Sequence, residues 1–331
     1  MPSPLASRPR AWIGISGYNY RGWRGRFYPE SLRQRDWLRY ASRCFDSIEL
    51  NGTFYSLKSP DVYRRWVAET PDSNFLFAVK GSRFITHNLK LRNAEQALAN
   101  FYASGVLALG HKTGPFLWQL PGTYRFDRAR IESFLRLLPR DSVDAGRLAE
   151  RHDDRLTRGA LTIPAARVPY RHALEVRNPS YFEPAFYDLL RAYDVAFVVA
   201  DTAGKFPYAE EITADFVYVR LHGSTVLYAS GYTHEELSWW AERITRWARP
   251  GGTTERDVYV YFDNDGSAHA PHDAQGLAQA VRARGLDVPH PGDADDYADP
   301  MGRVAHPAET SEPAPPTAAD RDIGVTPRGR E

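Results

Sequence analysis

The stretch FVYVRLHGS, residues 216–224, indicates most directly how this chain folds. Side chains alternate between the two faces of a strand, so this segment has one apolar and one polar face. The apolar face carries Val217, Val219 and Leu221, and the other carries Tyr218, Arg220 and His222. If the apolar face packs against helices, the polar face points into the interior of a sheet that closes on itself.

Two other segments repeat this alternation, and further ones end in a polar residue. In the segment 47–51, Glu49 and Asn51 oppose Ile48 and Leu50; in 172–177, Glu175 and Arg177 oppose Leu174 and Val176. Polar residues also end four more segments: Lys80, Gln119, Asp201 and the pair Asp263-Asn264. The carboxyl ends of parallel barrel strands meet at one rim, so the sequence predicts a polar layer there.

The order of the elements predicts the fold class. Short segments rich in β-branched and aromatic residues predict strands at 12–16, 47–51, 75–80, 115–119, 172–177, 195–201, 216–222 and 258–264. Helices are predicted at 33–43, 60–69, 91–109, 127–138, 184–192, 233–248 and 272–284. This alternation predicts a single (β/α)8 TIM-type barrel over residues 10–286, with the sixth helix short or missing at 202–214. The rival is a doubly wound open sheet, but Gly14-Ile15-Ser16-Gly17 lacks its glycine-rich fingerprint.

Three segments stand outside the regular alternation. Residues 140–170 are long and charged, and we interpret them as an insertion after the fourth helix. Residues 1–9 and the Pro/Ala-rich tail 287–331 have few large apolar side chains, which predicts disorder.

Composition limits the classes of function. The chain has 331 residues and a formal net charge of +1, so a strong global field for nucleic acid or membrane is absent. Cys44 is the single cysteine, which excludes an intramolecular disulfide and fits a reducing compartment. Neither a signal peptide nor an apolar run of about 20 residues is visible, so we expect a cytoplasmic protein without membrane contact. The oligomeric state is not readable from the sequence.

The polar layer favours an enzyme, although the reaction class (hydrolase, lyase or isomerase) stays open. The residues expected to carry the chemistry are Glu49, Glu175, His222, Lys80 and Asp201. Arg177, Arg220 and Lys80 would hold a carboxylate or phosphate, and the acidic groups and His222 would transfer protons. The alternative is an ion-pair network that only closes the barrel top.

These residues also carry a resemblance to a known family. The strings Gly14-Ile15-Ser16-Gly17-Tyr18, Glu49-Leu50-Asn51, Thr53-Phe54-Tyr55 and Phe77-Ala78-Val79-Lys80, with Thr86-His87, resemble the YecE-like family, domain of unknown function 72. Trp23 and Phe27-Tyr28-Pro29, near the start of the chain, also match. Further matches along the chain are Glu175-Val176-Arg177, Asp201, Tyr218–Gly223 and Tyr261–Asp265. The resemblance spans residues 11–284 and implies a TIM barrel, but no reaction. Tyr18 and Asp263 depart from the pattern, where many relatives have Trp and Asn.

The strand ends and the matching motifs together supply the residues that we expect to bind a small anionic substrate. They are Asn51, Tyr55, His87, Gln119, Arg177, Arg220, Asn264 and Trp23.

Three other interpretations remain open. A divalent metal could bind Glu49, Glu175, Asp201, His222 and Asp263, but three cationic side chains in the same layer argue against it, so no cofactor or metal ligand is predicted. Arginines interleaved with aromatic residues in Tyr18–Tyr28 suit nucleic-acid binding, or else an aromatic loop that plugs the barrel top. Lys80 also invites an imine-forming role, which neighbouring carboxylates would oppose by keeping the amine charged.

Overall fold

The computed structural model describes residues 9–157, 159–249 and 255–289. Its eight parallel strands form a closed barrel in sequence order. They are β1 Ala11–Ser16, β2 Ser47–Leu50, β3 Leu76–Lys80, β4 Thr113–Gln119, β5 His172–Glu175, β6 Val195–Asp201, β7 Phe216–Leu221 and β8 Asp257–Phe262. Because β1 pairs with both β2 and β8, the ring is complete. The predicted TIM-type barrel is confirmed, and the open doubly wound sheet is excluded.

Closure of the barrel depends on a glycine in β1. Gly14 pairs with Ser47 of β2 and Tyr261 of β8. A Cβ atom at position 14 would lie 1.7 Å from the carbonyl oxygen of Ser47. No side chain fits at that distance, so glycine lets the two strands approach each other here.

The described residues contain nine α-helices. They are α1 Trp37–Cys44, α2 Gly52–Tyr55, α3 Pro60–Glu69, α4 Glu95–Ala103, α5 Arg128–Leu137, α6 Ser142–Ala149, α7 Pro184–Ala192, α8 His234–Ala248 and α9 His269–Ala283. The predicted helix at 91–109 was wrong in extent, since it divides into α4 and a 3₁₀ segment, Val106–Lys112. Gly105 separates the two with a φ of 129°, a conformation that glycine adopts readily and other residues rarely do.

The connection between β6 and β7 has no helix, as predicted. Residues 202–215 run as turns and irregular chain. Thr213 ties this link to β6, because its hydroxyl donates to the carbonyl of Val195 and accepts from the amide of Phe197, both at 2.7 Å. A loop instead of a helix therefore lies beside β6.

The predicted insertion at 140–170 belongs to the outer layer of the barrel. It contains α6 and contacts α4 along its length. The amide of Leu161 donates to the carbonyl of Ala103 at 2.8 Å, and Asn100 Nδ2 donates to Asp153 Oδ1 at 2.9 Å. None of the helices in the described ranges is long and apolar enough to cross a membrane.

Alternate residues of the strands form two separate apolar layers, as the sequence alternation predicts. Outward-facing side chains pack against the helices, and among them are Ile48, Leu50, Leu174, Val217, Val219 and Leu221. The smaller inner cluster fills the barrel: Trp12, Ala78, Leu117, Ala173, Ala196, Val198, Phe216, Tyr218, Tyr259 and Tyr261. The next residues along several inward-facing rows are polar, and they lie at the carboxyl rim.

The two predicted disordered segments lie mostly outside the described residues. Of residues 1–9 only Pro9 is described, and of 287–331 only 287–289. Asp287 accepts a hydrogen bond from the amide of Ala11 at 2.8 Å, and Val288 is 6% exposed. The packed chain therefore reaches beyond the predicted limit at residue 286.

Candidate functional site

Arg220 is the centre of the polar layer at the carboxyl rim. It is the inward-facing residue near the end of β7, and its side chain is 0% exposed. Nη1 donates to Glu175 at 2.8 Å, and Nη2 donates to Glu49 and Asp263, each at 2.8 Å. One buried guanidinium therefore holds carboxylates from β2, β5 and the end of β8.

Glu49, on β2, is bound on both oxygens. Oε2 accepts from the hydroxyl of Tyr218 at 2.7 Å and from Nε of Arg220 at 3.1 Å. Oε1 accepts from Nη2 of Arg220 and from the hydroxyl of Ser16. Asn51 Nδ2 donates to the same Ser16 hydroxyl at 2.9 Å, so it lies next to the network.

Glu175, at the end of β5, sits between two arginines. Oε2 accepts from Arg220, and Oε1 accepts from Nε of Arg177 at 2.8 Å. Burial alone would raise the pKa of Glu175, but the positive charges of Arg177 and Arg220 outweigh it and hold that pKa well below its usual range. Glu175 is therefore an ionised, saturated carboxylate.

Asp263 and His222 complete the buried network. Nδ1 of His222 lies 3.0 Å from Asp263 Oδ2, and its Nε2 lies 3.3 Å from Nη1 of Arg220. Burial would raise the pKa of Asp263, but Arg220 and His222 lower it below its ordinary value. The ring of His222 is therefore held between a carboxylate and a guanidinium.

Lys80 faces the same rim but remains outside these ion pairs. It is buried at the end of β3, and within the described residues its Nζ makes no hydrogen bond and no ion pair. Nζ lies 4.8 Å from the ring centroid of Phe54. Burial lowers the pKa of Lys80, and the positive charge of Arg220 lowers it further, against weaker opposition from the carboxylates.

Three further predicted residues lie near the carboxyl rim. His87 is half-buried, with Nδ1 2.9 Å from the hydroxyl of Thr86 and its ring against Phe54. Burial and the charges of Arg83, Lys80 and Arg177 lower the pKa of His87. Gln119 pairs with Glu175 in the sheet, and its side-chain amide has no hydrogen bond to a described residue. Tyr55 is 70% exposed and lines an outer cavity of about 270 Å³ that also contacts Asn51.

Asp201 does not join the network. Ala200 packs on the inner cluster of the barrel, so the next residue, Asp201, points to the outer side of β6. There it accepts from the hydroxyl of Tyr232 at 2.9 Å and from the amide of Ala203. It lines a separate groove of about 520 Å³ with residues of α8, including Trp239.

Asn264 and Trp23 also lie outside the network, and both make hydrogen bonds that hold the fold together. Asn264 Nδ2 donates to the carbonyl of Ser230 at 2.9 Å and to Asp273 at 2.7 Å, which ties the end of β8 to α9. Trp23 is 1% exposed, and its indole N–H donates to the carbonyl of Asp265 at 3.1 Å. Neither side chain is directed at the cluster around Arg220.

Trp23 belongs to an aromatic group that fills the loop after β1. Its ring lies 5.7 Å from that of Phe27 and 6.0 Å from that of Tyr28, and all three side chains are buried. The arginines between them, at 21, 24 and 26, point to solvent. This arrangement favours the aromatic plug over a stacking platform for bases.

Three residues of the network were absent from the predicted set: Ser16, Tyr218 and Asp263. Ser16 and Tyr218 have the inward parity of β1 and β7, so alternation applied to every strand would have identified them. Asp263 follows directly after β8 and was considered only as a metal ligand. Its pairing with Arg220 depends on distances that the sequence does not contain.

A closed parallel barrel with an ionic cluster at its carboxyl rim defines a TIM-barrel protein of the kind that carries its site at that end. The chain belongs to the DUF72 family, described as "Protein of unknown function DUF72", whose sequence model matches residues 12–295. The resemblance predicted from the motifs is confirmed.

Curated and solved relatives agree with this assignment. The UPF0759 protein YunF of Bacillus subtilis is 23% identical over 82% of this chain and 94% of its own length. The UPF0759 protein YecE of Escherichia coli is 32% identical over 87 residues, which are 26% of this chain and 31% of that protein. A DUF72 family protein from Thermotoga maritima has a TM-score of 0.63 at 24% identity, covering 82% of this chain and 99% of that one. It shows that the fold is shared.

Proposed function

We propose that this protein is an enzyme that uses acid–base chemistry on a small molecule bearing a carboxylate or phosphate, bound at the carboxyl rim of the barrel. This proposal depends on one observation: the positive side chains at the rim differ in how many carboxylates they bind. Arg220 binds Glu49, Glu175 and Asp263 in the interior. Lys80 has no ion pair among the described residues, and Arg177 has one carboxylate partner, Glu175, together with the hydroxyl of Tyr228, so an anion would supply the missing negative charge.

Proton transfer would fall to Lys80 rather than to the carboxylates or to His222. Glu49 and Glu175 accept hydrogen bonds on both oxygens, so they have little capacity to act as bases. His222 is fully buried, with Asp263 beside Nδ1 and Arg220 beside Nε2, whereas Lys80 has a lowered pKa and no ion pair among the described residues. A base with a pKa brought toward neutrality works best near neutral pH. Glu49 and Glu175 would then position the arginines.

The test is thermal unfolding of the full chain with inorganic phosphate, pyrophosphate, citrate and glyoxylate. A ligand at about 100 times its Kd should stabilise the wild type by about 2.7 kcal/mol. R177Q should lose this stabilisation, while R246Q, which removes the same charge from an exposed position near the end of α8, should keep it. If no anion stabilises the wild type, or if R177Q responds equally, the anion site does not exist.

The other two functions lack a comparable observation. The described residues contain no group of three or more His, Cys, Asp or Glu arranged to hold a metal ion, and Arg220 already binds the inner carboxylates. For a polyanion, the aromatic side chains between the arginines of 21–26 would have to be accessible, and Trp23 and Tyr28 are buried.

A further inference from the structure

We propose that Lys80 is a nucleophile that forms an imine with the carbonyl carbon of an anionic aldehyde or ketone. This inference rests on the proposed anion site and names the substrate class more narrowly. It begins from a comparison of two lysines in the same chain, which has only five lysines among its 42 cationic Lys and Arg residues.

Lys112 and Lys80 are equally buried, at 7% and 8% exposure. Lys112 Nζ donates to the carbonyls of Val67 and Thr70 at 2.6 and 3.0 Å, and to the hydroxyl of Thr70 at 3.1 Å. All three of its N–H groups therefore have acceptors. Lys80 Nζ has none among the described residues, so burial of its charged form is not compensated in the same way.

The carboxylates that could keep Lys80 charged are held elsewhere. Glu49, Glu175 and Asp263 each accept a hydrogen bond from Arg220 at 2.8 Å, and none lies within ion-pair distance of Nζ. These carboxylates therefore stabilise the charged form of Lys80 less than we expect from the sequence. Burial and Arg220 both lower the pKa of Lys80, which increases the fraction of neutral amine.

The position of Lys80 is fixed. Its backbone carbonyl accepts from the hydroxyl of Thr53 at 2.6 Å, and the amide of Gly81 donates to the carbonyl of Leu117 at 2.8 Å. The side chain then runs to the face of Phe54. An amine held in one place by a rigid strand end suits a nucleophile better than a long mobile surface lysine does.

The reaction balances without any further reactant. The amine lone pair of Lys80 attacks the carbonyl carbon and forms a carbinolamine. Both amine hydrogens leave with the carbonyl oxygen as water, and a carbon–nitrogen double bond forms. Protonation of that nitrogen creates a cation, which the ring of Phe54 at 4.8 Å would stabilise through its negative face. Arg177 would hold the anionic group of the same substrate.

The experiment is reductive trapping with cyanoborohydride at neutral pH, read by intact mass and peptide mapping of the full chain. Glyoxylate is the anionic aldehyde, and propanal is the neutral one. We expect one principal glyoxylate adduct, on Lys80, and an almost complete loss of it in K80R. K112R, which alters the matched buried lysine, should label like the wild type.

The outcomes separate this inference from the proposed function. If glyoxylate stabilises the protein but labels the five lysines without preference for Lys80, the imine is refuted and the anion site stands. If propanal labels Lys80 selectively and glyoxylate has no advantage, the nucleophile stands and the anion site falls. Since the wild type gives the decisive result, a folding defect in K80R would not prevent the test.

Discussion

The two ends of the barrel each hold an arginine among carboxylates, but the two clusters differ in how deeply the arginine is buried and in the other cations that lie beside it. At the amino end Arg171 donates to Asp257 at 2.7 Å and to the hydroxyl of Tyr259 at 3.0 Å, and its Nε lies 3.5 Å from Asp215. That side chain is about a third exposed. The amino end is a closed ion-pair cluster of the kind that stabilises a fold.

At the carboxyl end the central arginine is fully buried, and a second and third cation surround it. Arg177 shares Glu175 with Arg220, and Lys80 shares no carboxylate. Such an arrangement is less favourable for stability than a closed pair, because buried charge without a partner is costly. This difference supports the proposal that a ligand binds at the carboxyl end.

The largest expected effect is that of Arg220→Met. It would leave Glu49, Glu175 and Asp263 buried without their cation, so we expect a loss of about 3–5 kcal/mol in the free energy of unfolding. Arg171→Met, at a pair that is partly exposed to solvent, should cost about 1 kcal/mol or less. Urea denaturation of both variants measures the difference. Equal losses would remove the distinction between the two ends.

The second prediction concerns acid. The pKa values of Glu175 and Asp263 are lowered in the folded protein from ordinary values of 4.5 and 3.8. Their stabilisation is therefore fully present above about pH 5 and is lost as pH falls below the ordinary values. The free energy of unfolding, measured by urea from pH 7 to pH 3, should fall steeply below pH 5. E175Q should reduce that slope, and a slope unchanged in E175Q would contradict the assignment.

Third, the two buried lysines should respond with opposite sign. Lys112→Met removes a donor from three acceptors, so we expect a loss of about 1–3 kcal/mol in the free energy of unfolding. Lys80→Met removes an amine without a hydrogen bond in the described structure, and should leave stability unchanged or raise it by about 1 kcal/mol. Denaturation curves without added anion test this. A comparable loss in both variants would show that Lys80 has a structural partner.

The smallest effect belongs to Asp201→Asn. Asp201 points to the outer side of β6 and accepts a hydrogen bond from Tyr232. The amide oxygen of an Asn side chain can accept the same hydrogen bond. We expect a change within about 0.5 kcal/mol in the free energy of unfolding and no change in the response to anions. A loss of anion-induced stabilisation in thermal unfolding would return Asp201 to the site.

The sequence predicted the barrel because eight strand segments alternate with helices, and it predicted Glu49, Glu175 and Arg220 because their strands alternate strictly between apolar and polar side chains. β6 reads VAFVVAD and is apolar on both faces, so alternation cannot assign a face to Asp201. Trp23 was misplaced for a different reason. An aromatic residue in a loop can pack inward or contact a ligand, and only the three-dimensional structure distinguishes these.

The sequence also could not predict which cation of the network binds which carboxylate. Three cations and three carboxylates can be matched in several ways, and the sequence carries no distances. In the structure Arg220 binds three carboxylates, and Lys80 has no ion pair among the described residues.

The burial of Arg220 also has a consequence for how the chain reaches its native state. Its partners come from residues 171 positions earlier, 45 positions earlier and 43 positions later. A half-barrel containing β1 to β4 would hold Glu49 without Arg220, and the complementary half would hold the guanidinium with one carboxylate fewer. The pair between Glu49 and Arg220 can therefore form only when the two halves meet, which makes it a contact of large sequence separation.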